Sequence, residues 1–456
     1  LGKPFWLGDF SKLAIANITS NLMVPLAGLI DTAFLGHLAD IRHLAGVALA
    51  TVLFNVIYWS FGFLRMGTTG LIAQSAGRGD RTEQWRVGLR ALMVALTMGL
   101  LILLLQTPLR VLGFAILQAD ADVLDAGLAF YQGRIWGAPA VLMNYVLLGW
   151  LLGLGQGRRV LALAVVGNGA NILLDYWMIV RLGWESHGAG LATALSQYAM
   201  LLVGGIVLLR SLPWAQIWQQ RLSLWSRHAI SALFRLNRDI MVRTWALLVS
   251  FSLFTNLSGV MGTDTLAVNT LLLQSLMLVT YFLDGIAFAT EAYAGQFHGQ
   301  GKSSELRALA KIGSGISVGL GVGIAIAFIT FPQVLFGLLT DHQTVLAQLN
   351  HYVIWLLPVY GFGAIAFMLD GYFLGLTSGT ILRKSTVLAT FCGFLPWALI
   401  AYWQNSPHCL WLAMASFMAI RAMTLAWAVP GSWQPRAEAS PYLGSQRISN
   451  KKPSGS

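Results

Sequence analysis

Charge is what this chain has least of: 10% of its 456 residues are Asp, Glu, Lys or Arg, against 56% hydrophobic. A soluble fold of this length carries roughly a quarter charged residues on its surface, so a water-soluble globular protein is excluded. The two cysteines, Cys392 and Cys409, are too few for a disulfide or metal framework. His-Glu-x-x-His, Walker and Cys-x-x-Cys patterns are all missing, and no nucleophile–base pattern replaces them. Enzyme chemistry and a cofactor are therefore not expected. The glycine-rich Gly153-Leu-Gly-Gln-Gly157 closes an apolar run ahead of Arg158 and Arg159, and a span-to-loop turn explains it. No N-terminal stretch has a basic, apolar and cleavage-site pattern, so a signal peptide is not expected either. The first residue is Leu, as in a trimmed chain.

Long apolar runs are what the chain has. Mean hydropathy is +0.67, and runs fall at about 10–37, 44–75, 86–107, 122–153, 159–180, 188–210, 234–261, 266–297, 307–330, 345–375, 384–403 and 409–430. Most reach the ~20 residues needed to cross a bilayer. The net charge of +11 and a pI near 9.9 would suit nucleic acid, but the cations are not gathered in one patch. Alternate connections hold Arg78/Arg81/Arg86/Arg90, Arg158/Arg159, Arg210 to Arg243, Lys302/Arg307/Lys311 and Arg383/Lys384, with Lys3, Lys12, Lys451 and Lys452 on the same side. The other connections hold Asp40, Asp120, Asp122, Glu185, Asp264 and Asp341 with few cations. This positive-inside pattern puts both termini in the cytoplasm. The expectation is an all-α, multi-pass protein of a cell inner membrane, with the lipid bilayer and not nucleic acid as its surroundings.

An internal repeat divides the chain. Thr68-Thr-Gly-Leu-Ile-Ala-Gln74-Ser-Ala-Gly77-Arg-Gly79 resembles Thr290-Glu-Ala-Tyr-Ala-Gly-Gln296-Phe-His-Gly299-Gln-Gly301, each leaving the second span of a half. Arg134-Ile-Trp136-Gly-Ala-Pro139 resembles Val353-Ile-Trp355-Leu-Leu-Pro358. With an even number of spans per half, the halves share one orientation and are related by an axis along the membrane normal. The repeat predicts twelve transmembrane helices in two six-helix lobes, 1–210 and 234–430. Residues 211–233 would form a cytoplasmic linker and 431–456 a flexible cytoplasmic tail.

Asp31 stands in the first apolar run with no cation beside it in sequence. An acid at the centre of a span costs about 2.5–3.5 kcal/mol on translocon scales, which argues for a use in transport. Aligning Gly36 with Gly262 puts Leu257 opposite Asp31, so the acid belongs to one half only. In the fifth span Asn168, Asn171 and Asp175 share a helical face. Asp175 precedes Arg181 by about as far as Asp31 precedes His37, so the two acids sit at matching depth and would titrate as a coupled pair if close. Asn144, and Thr193, Ser196 and Gln197 on one face of the sixth span, are candidates to complete the hydrogen bonding, or to link helices. Pro25 removes an amide donor and weakens the turn to Asn21, which makes a kink, either static or a hinge. Asp284 and Asp370 are secondary charged sites, as ion ligands or as acids satisfied by neighbours. Arg65 is read as the only deep arginine, pairing with an acid or snorkelling. Glu291 is expected to be solvated.

Asp31-Thr-Ala-Phe-Leu-Gly-His37, Gln74…Gly77-x-Gly79, Asn171-x-x-x-Asp175 and Leu369-Asp370-Gly-Tyr-Phe-Leu-Gly375 together resemble the multidrug and toxic compound extrusion (MATE) transporters, in their DinF-like branch. The resemblance covers about residues 5–430. It implies a V-shaped pair of lobes, acting as a monomer, that exports cationic or amphiphilic drugs against an ion gradient. It also implies an ion-coupling site at Asp31, Asn171 and Asp175, with Asn144 and Thr193 contributing. The turns before Asp31 carry Ala27 and Val24, which provide poorly for a sodium cage at Asp31 and Asp175 and favour protons as the coupling ion. The alternatives are a sodium-coupled exporter, or a lipid-linked precursor flippase with a cationic cavity for pyrophosphate.

Overall fold

The structure, a computed structural model, describes residues 4–38, 40–117, 119–219, 227–340 and 343–433. Twelve helices are long and apolar enough to cross a membrane: α1 Leu7–Gly36, α2 Arg42–Gly77, α3 Arg81–Leu104, α4 Ala121–Gly153, α5 Gly157–Arg181 and α6 Glu185–Leu209 in the first lobe. The second lobe has α7 Phe234–Val260, α8 Thr263–Gly299, α9 Ser303–Thr330, α10 Thr344–Gly375, α11 Gly379–Gln404 and α12 Pro407–Trp433. Each agrees with its expected run to within a few residues. Short helices that the sequence reading left inside or after spans follow α3 (Gln106–Ile116) and α9 (Pro332–Gly337). Of the expected linker, Trp214–Gln219 is a short helix and Arg227 already begins the helix of α7, while 220–226 lie outside the described residues. So do 434–456 of the expected tail and the lysines in it.

The breaks within spans follow from sequence and repeat in both lobes. Pro139 and Pro358 lack the amide that would bond the carbonyl four residues back. Each is preceded by a 3-10 turn, Ile135–Gly137 in α4 and Val353–Trp355 in α10. Both α5 and α11 carry a π-helical turn, Tyr176–Arg181 and Ala389–Phe394. The turn in α5 starts at the residue after Asp175.

Glycines let the lobes meet at the end of the bundle where α1 begins and α12 ends. A Cβ on Gly77 would lie 2.1 Å from the Gln296 carbonyl oxygen, and one on Gly299 would lie 2.2 Å from that of Gln74. The two contacts are images of each other under the repeat. Within each lobe Gly149 meets Arg65 O and Gly371 meets Ala287 O, again a matched pair. One apolar core joins both lobes at this end, from Trp6, Phe10 and Ile72 to Phe297, Met368 and Tyr372. Each lobe has a further core of its own, and Leu257, the counterpart of Asp31, packs on that of the second lobe. Bare side chains such as Trp427 and Trp403 lie on the outer surface of the spans, as expected where the solvent is lipid. At the opposite end His43 ties two turns together, with Nδ1 2.9 Å from Ser186 Oγ and Nε2 3.0 Å from Glu185.

Candidate functional site

A cavity of about 740 Å³ opens inside the first lobe, walled by α1, α2, α4, α5 and α6, with Phe288 of α8 as its contribution from the second. Asp31, Asn144, Asn168, Asn171 and Thr193 all line it, so the structure brings together the polar residues that sequence spacing singled out. Asp175 lies just behind the wall, fully buried. Asn171 Nδ2 donates to Asp175 Oδ2 at 2.7 Å, one helical turn apart on α5. Asp31 from α1 comes within side-chain hydrogen-bond reach of Asp175. Asp31 Oδ1 and Asp175 Oδ1 are both buried with no donor of their own. An ionised carboxylate only accepts hydrogen bonds, so a bond between two carboxyl groups requires a proton on one of them. The arrangement can hold a proton between helices α1 and α5.

The surrounding polar groups differ in how free they are. Asn144 Nδ2 is shared between Gln197 O (2.9 Å) and Gln197 Oε1 (3.0 Å), which leaves Asn144 Oδ1 unpartnered. Asn168 and Thr193 bond back to their own helices, at Ala164 O (2.8 Å) and Ala189 O (2.9 Å). Ser196 does the same to Thr193 O and does not line the cavity. Helix α1 continues unbroken through Pro25.

Three sequence expectations need correction. Asp31 has a cation after all: Arg134 of α4 lines the same cavity, and its charge acts on Asp31. Arg134 was visible only as part of the repeat, because the fold alone decides that α4 faces α1. Its guanidinium lies over Phe54 (4.7 Å) and Phe130 (5.4 Å). Arg65 is not the only deep arginine, since Arg134, Arg243 and Arg421 are also inside the bundle. Arg65 lines the cavity with its guanidinium 3.7 Å from the Phe288 ring centre. Glu291, expected to be solvated, is fully buried.

Asp284 and Asp370 lie outside this cavity, in the second lobe. Asp370 Oδ2 accepts from both Arg243 of α7 and Arg421 of α12, and all three residues are buried. Asp284 is half-buried on α8 and feels the charges of Arg65, Arg243 and Arg421. Among the described residues no group of three or more His, Cys, Asp and Glu is placed to hold a metal ion.

Twelve spans in two repeated lobes, with one carboxyl pair opening on a cavity in a single lobe, define a secondary transporter. The MatE family profile matches residues 17–177 and 240–403, and the chain belongs to that family of multidrug and toxic compound extrusion transporters, in its DinF-like branch. It is a transporter of small drug-like molecules and not an enzyme. It is 37% identical over 416 residues to the DNA damage-inducible protein F of Escherichia coli (strain K12), covering 91% of this chain and 90% of that protein. In fold it is similar to a multidrug resistance MATE family transporter of the MOP superfamily solved in an outward-facing conformation. That likeness has a TM-score of 0.82 at 20% identity and covers 93% of this chain and 96% of that one. A MOP superfamily transporter from Pyrococcus furiosus gives 0.81 at 20% identity, covering 93% and 95%.

Proposed function

We propose that the protein exports cationic, amphiphilic molecules across the inner membrane in exchange for protons, working as a monomer with both termini in the cytoplasm. The observation that carries this reading is the facing pair Asp31 and Asp175 at the cavity wall. Each proton taken up by the pair removes one negative charge that would hold a cationic substrate, so proton and substrate compete for one site. Competition of that kind is what antiport requires. Asn171 turns an amide N–H toward Asp175, which orients the acid. Phe288, Val141 and Leu148 give the cavity an apolar wall for the body of the substrate. On this reading the joined, terminal end is cytoplasmic, and Pro25 is the hinge that lets α1 redirect Asp31.

The experiment is reconstituted transport of a cationic dye with pH and sodium gradients imposed separately. A pH gradient alone should drive dye movement in the wild type and fail to do so in Asp31→Asn. Wild-type transport by Asp31→Asn, or movement driven by sodium alone, would overturn the reading. Arg65 and Arg134 on the cavity wall favour one second reading, the flipping of a pyrophosphate-linked lipid. Both guanidiniums are stacked on aromatic rings. Flipping of such a lipid without dye transport would establish that second reading.

A further inference from the structure

The acid pair leaves a third buried carboxyl without a use. Glu291 sits on α8 with 0% of its surface exposed, and neither oxygen has a hydrogen-bond donor. Its neighbour across the lobe boundary is Thr69 of α2, within side-chain hydrogen-bond reach. Thr69 has already given its hydroxyl proton to Arg65 O, at 2.9 Å. What Thr69 has left to offer is a lone pair. A carboxylate can make no use of it, but a carboxylic acid can donate to it. The hydrogen-bond inventory therefore calls for a protonated Glu291.

The charges around Glu291 come from several helices. Arg65 of α2 and Arg243 of α7 act on it, as does Asp284, two turns earlier on the same face of α8. Arg243 and Arg421 of α12 are both committed to Asp370 of α10. Of the other helices packed on α8, α1 brings Asp9, paired to Lys12, and α9 brings Glu305, which accepts from Trp6. Arg65 is the cation in this group that makes no ion pair among the described residues; it lines the first-lobe cavity, and its charge acts on Glu291. The backbone at Glu291 is also tightly enclosed. A Cβ on Gly375 would lie 2.3 Å from Glu291 O, and one on Gly295 would lie 2.5 Å from Ala73 Cβ of α2.

We propose that Glu291 is a second proton-binding site, sealed at the lobe interface, which exchanges its proton with water only when α2 and α8 part. This rests on the proton-exchange reading above. On opening, the O–H bond of Glu291 breaks, its proton passes to water, and the charge left on the carboxylate is met by Arg65. On closing, a proton is taken up again before the site is sealed. Arg65 thereby links the state of the interface to the cavity that holds Asp31.

The test follows ethidium movement and its proton count, over a range of pH, in proteoliposomes containing the full chain and a trapped pH indicator. A proton released and regained through the same opening adds nothing to the net count. Glu291→Gln should therefore still move ethidium with the wild-type number of protons per dye, but its rate should lose one step of its pH dependence. An unchanged pH profile, or fewer protons per dye, would overturn the proposal. Asp31→Asn judges the underlying reading separately: wild-type pH-driven uptake there overturns that reading, whereas Glu291 is decided by its own pH profile. Should Glu291→Gln not fold, infrared spectra of Thr69→Val take its place. Removal of the acceptor shifts a protonated-carboxyl band if Glu291 holds a proton, and an unshifted spectrum means that it does not.

Discussion

Gln74 and Gln296 make the same bond from opposite lobes. Gln74 Nε2 donates to Gly375 O at 2.9 Å, and Gln296 Nε2 donates to Gly153 O at 3.1 Å. Donors and acceptors are exchanged by the internal repeat, so the terminal end of the bundle is closed twice by one device. The two bonds must break together when the lobes part, which makes the interface a two-state element rather than a sliding one.

Because each bond contributes about 1 kcal/mol net, Gln74→Leu or Gln296→Leu should favour the parted state by about 5-fold, and the double change by about 25-fold. A cysteine placed at Ser75, now buried in α2, reports this as faster thiol labelling once Cys392 and Cys409 are replaced by Ser. The two single changes should agree to within about 2-fold. A response from one glutamine alone would show that the two-fold is geometric and not energetic.

The glycine contacts predict a sharper cost. Gly77→Ala drives a methyl into the Gln296 carbonyl at 2.1 Å, where only backbone can give way. It should destabilise by about 1–3 kcal/mol, the usual range for overpacking. Gly315→Ala meets nothing within 4 Å and should be neutral or slightly stabilising, since Ala favours helix by up to ~1 kcal/mol. Thermal denaturation in detergent compares the two.

Asp370 with its two arginines predicts an asymmetry. Asp370→Asn strands two buried guanidiniums and should cost about 3–5 kcal/mol. Arg243→Met still leaves a one-to-one pair of Asp370 with Arg421, so it should cost less. Folded yield and melting temperature should fall further in Asp370→Asn. The reverse order would show that Arg243 is held mainly by other groups.

The twelve spans, the repeat and the part of the cavity's polar lining on α5 were legible because each depends on spacing along one helix, whereas Asn17, Ser20, Asn21 and Asn55 on the same wall were not singled out. Apolar runs locate spans, and i, i+3 and i+7 positions locate the face that carries Asn168, Asn171 and Asp175. What was not legible is pairing across helices. Arg134 sits one residue before a repeated Ile-x-x motif, and nothing local says that it points at Asp31. Arg243 and Arg421 fall in the linker approach and the last span, and only the bundle brings both to Asp370. Glu291 looked solvated because its sequence lies close to a basic loop, but α2 and α10 cover it.

Two asparagines on one face of α5 should behave differently. Asn171 gives its amide to Asp175 at 2.7 Å, whereas Asn168 gives its amide to Ala164 O on its own helix. Asn171→Ala removes a charge-assisted bond of about 1.5–3 kcal/mol from the acid pair and should slow pH-driven transport by ~10-fold or more. Asn168→Ala should stay within about 2-fold of the wild type. Equal losses would mean that cavity shape, rather than the carboxyl pair, limits transport.

Pro25 stands between two parts of α1 with different attachments. Before it, Trp6 bonds Glu305, Ile18 lies against Gly285, and Asn21 Nδ2 donates to Tyr281 O at 3.2 Å, all in the second lobe. Both parts line the first-lobe cavity, Asn17, Ser20 and Asn21 before Pro25 and Ala27, Asp31 and Leu35 after it, so a bend at Pro25 would move the acid relative to the anchored start of the helix. A proline here removes the amide that would bond Asn21 O and keeps this turn weak, at a cost to the helix of ~3 kcal/mol. Pro25→Ala should therefore raise the melting temperature while slowing transport, with dye affinity unchanged. Fluorescence binding and transport rates measured on one preparation separate these effects. A variant that is more stable and just as fast would show that Pro25 is not a hinge.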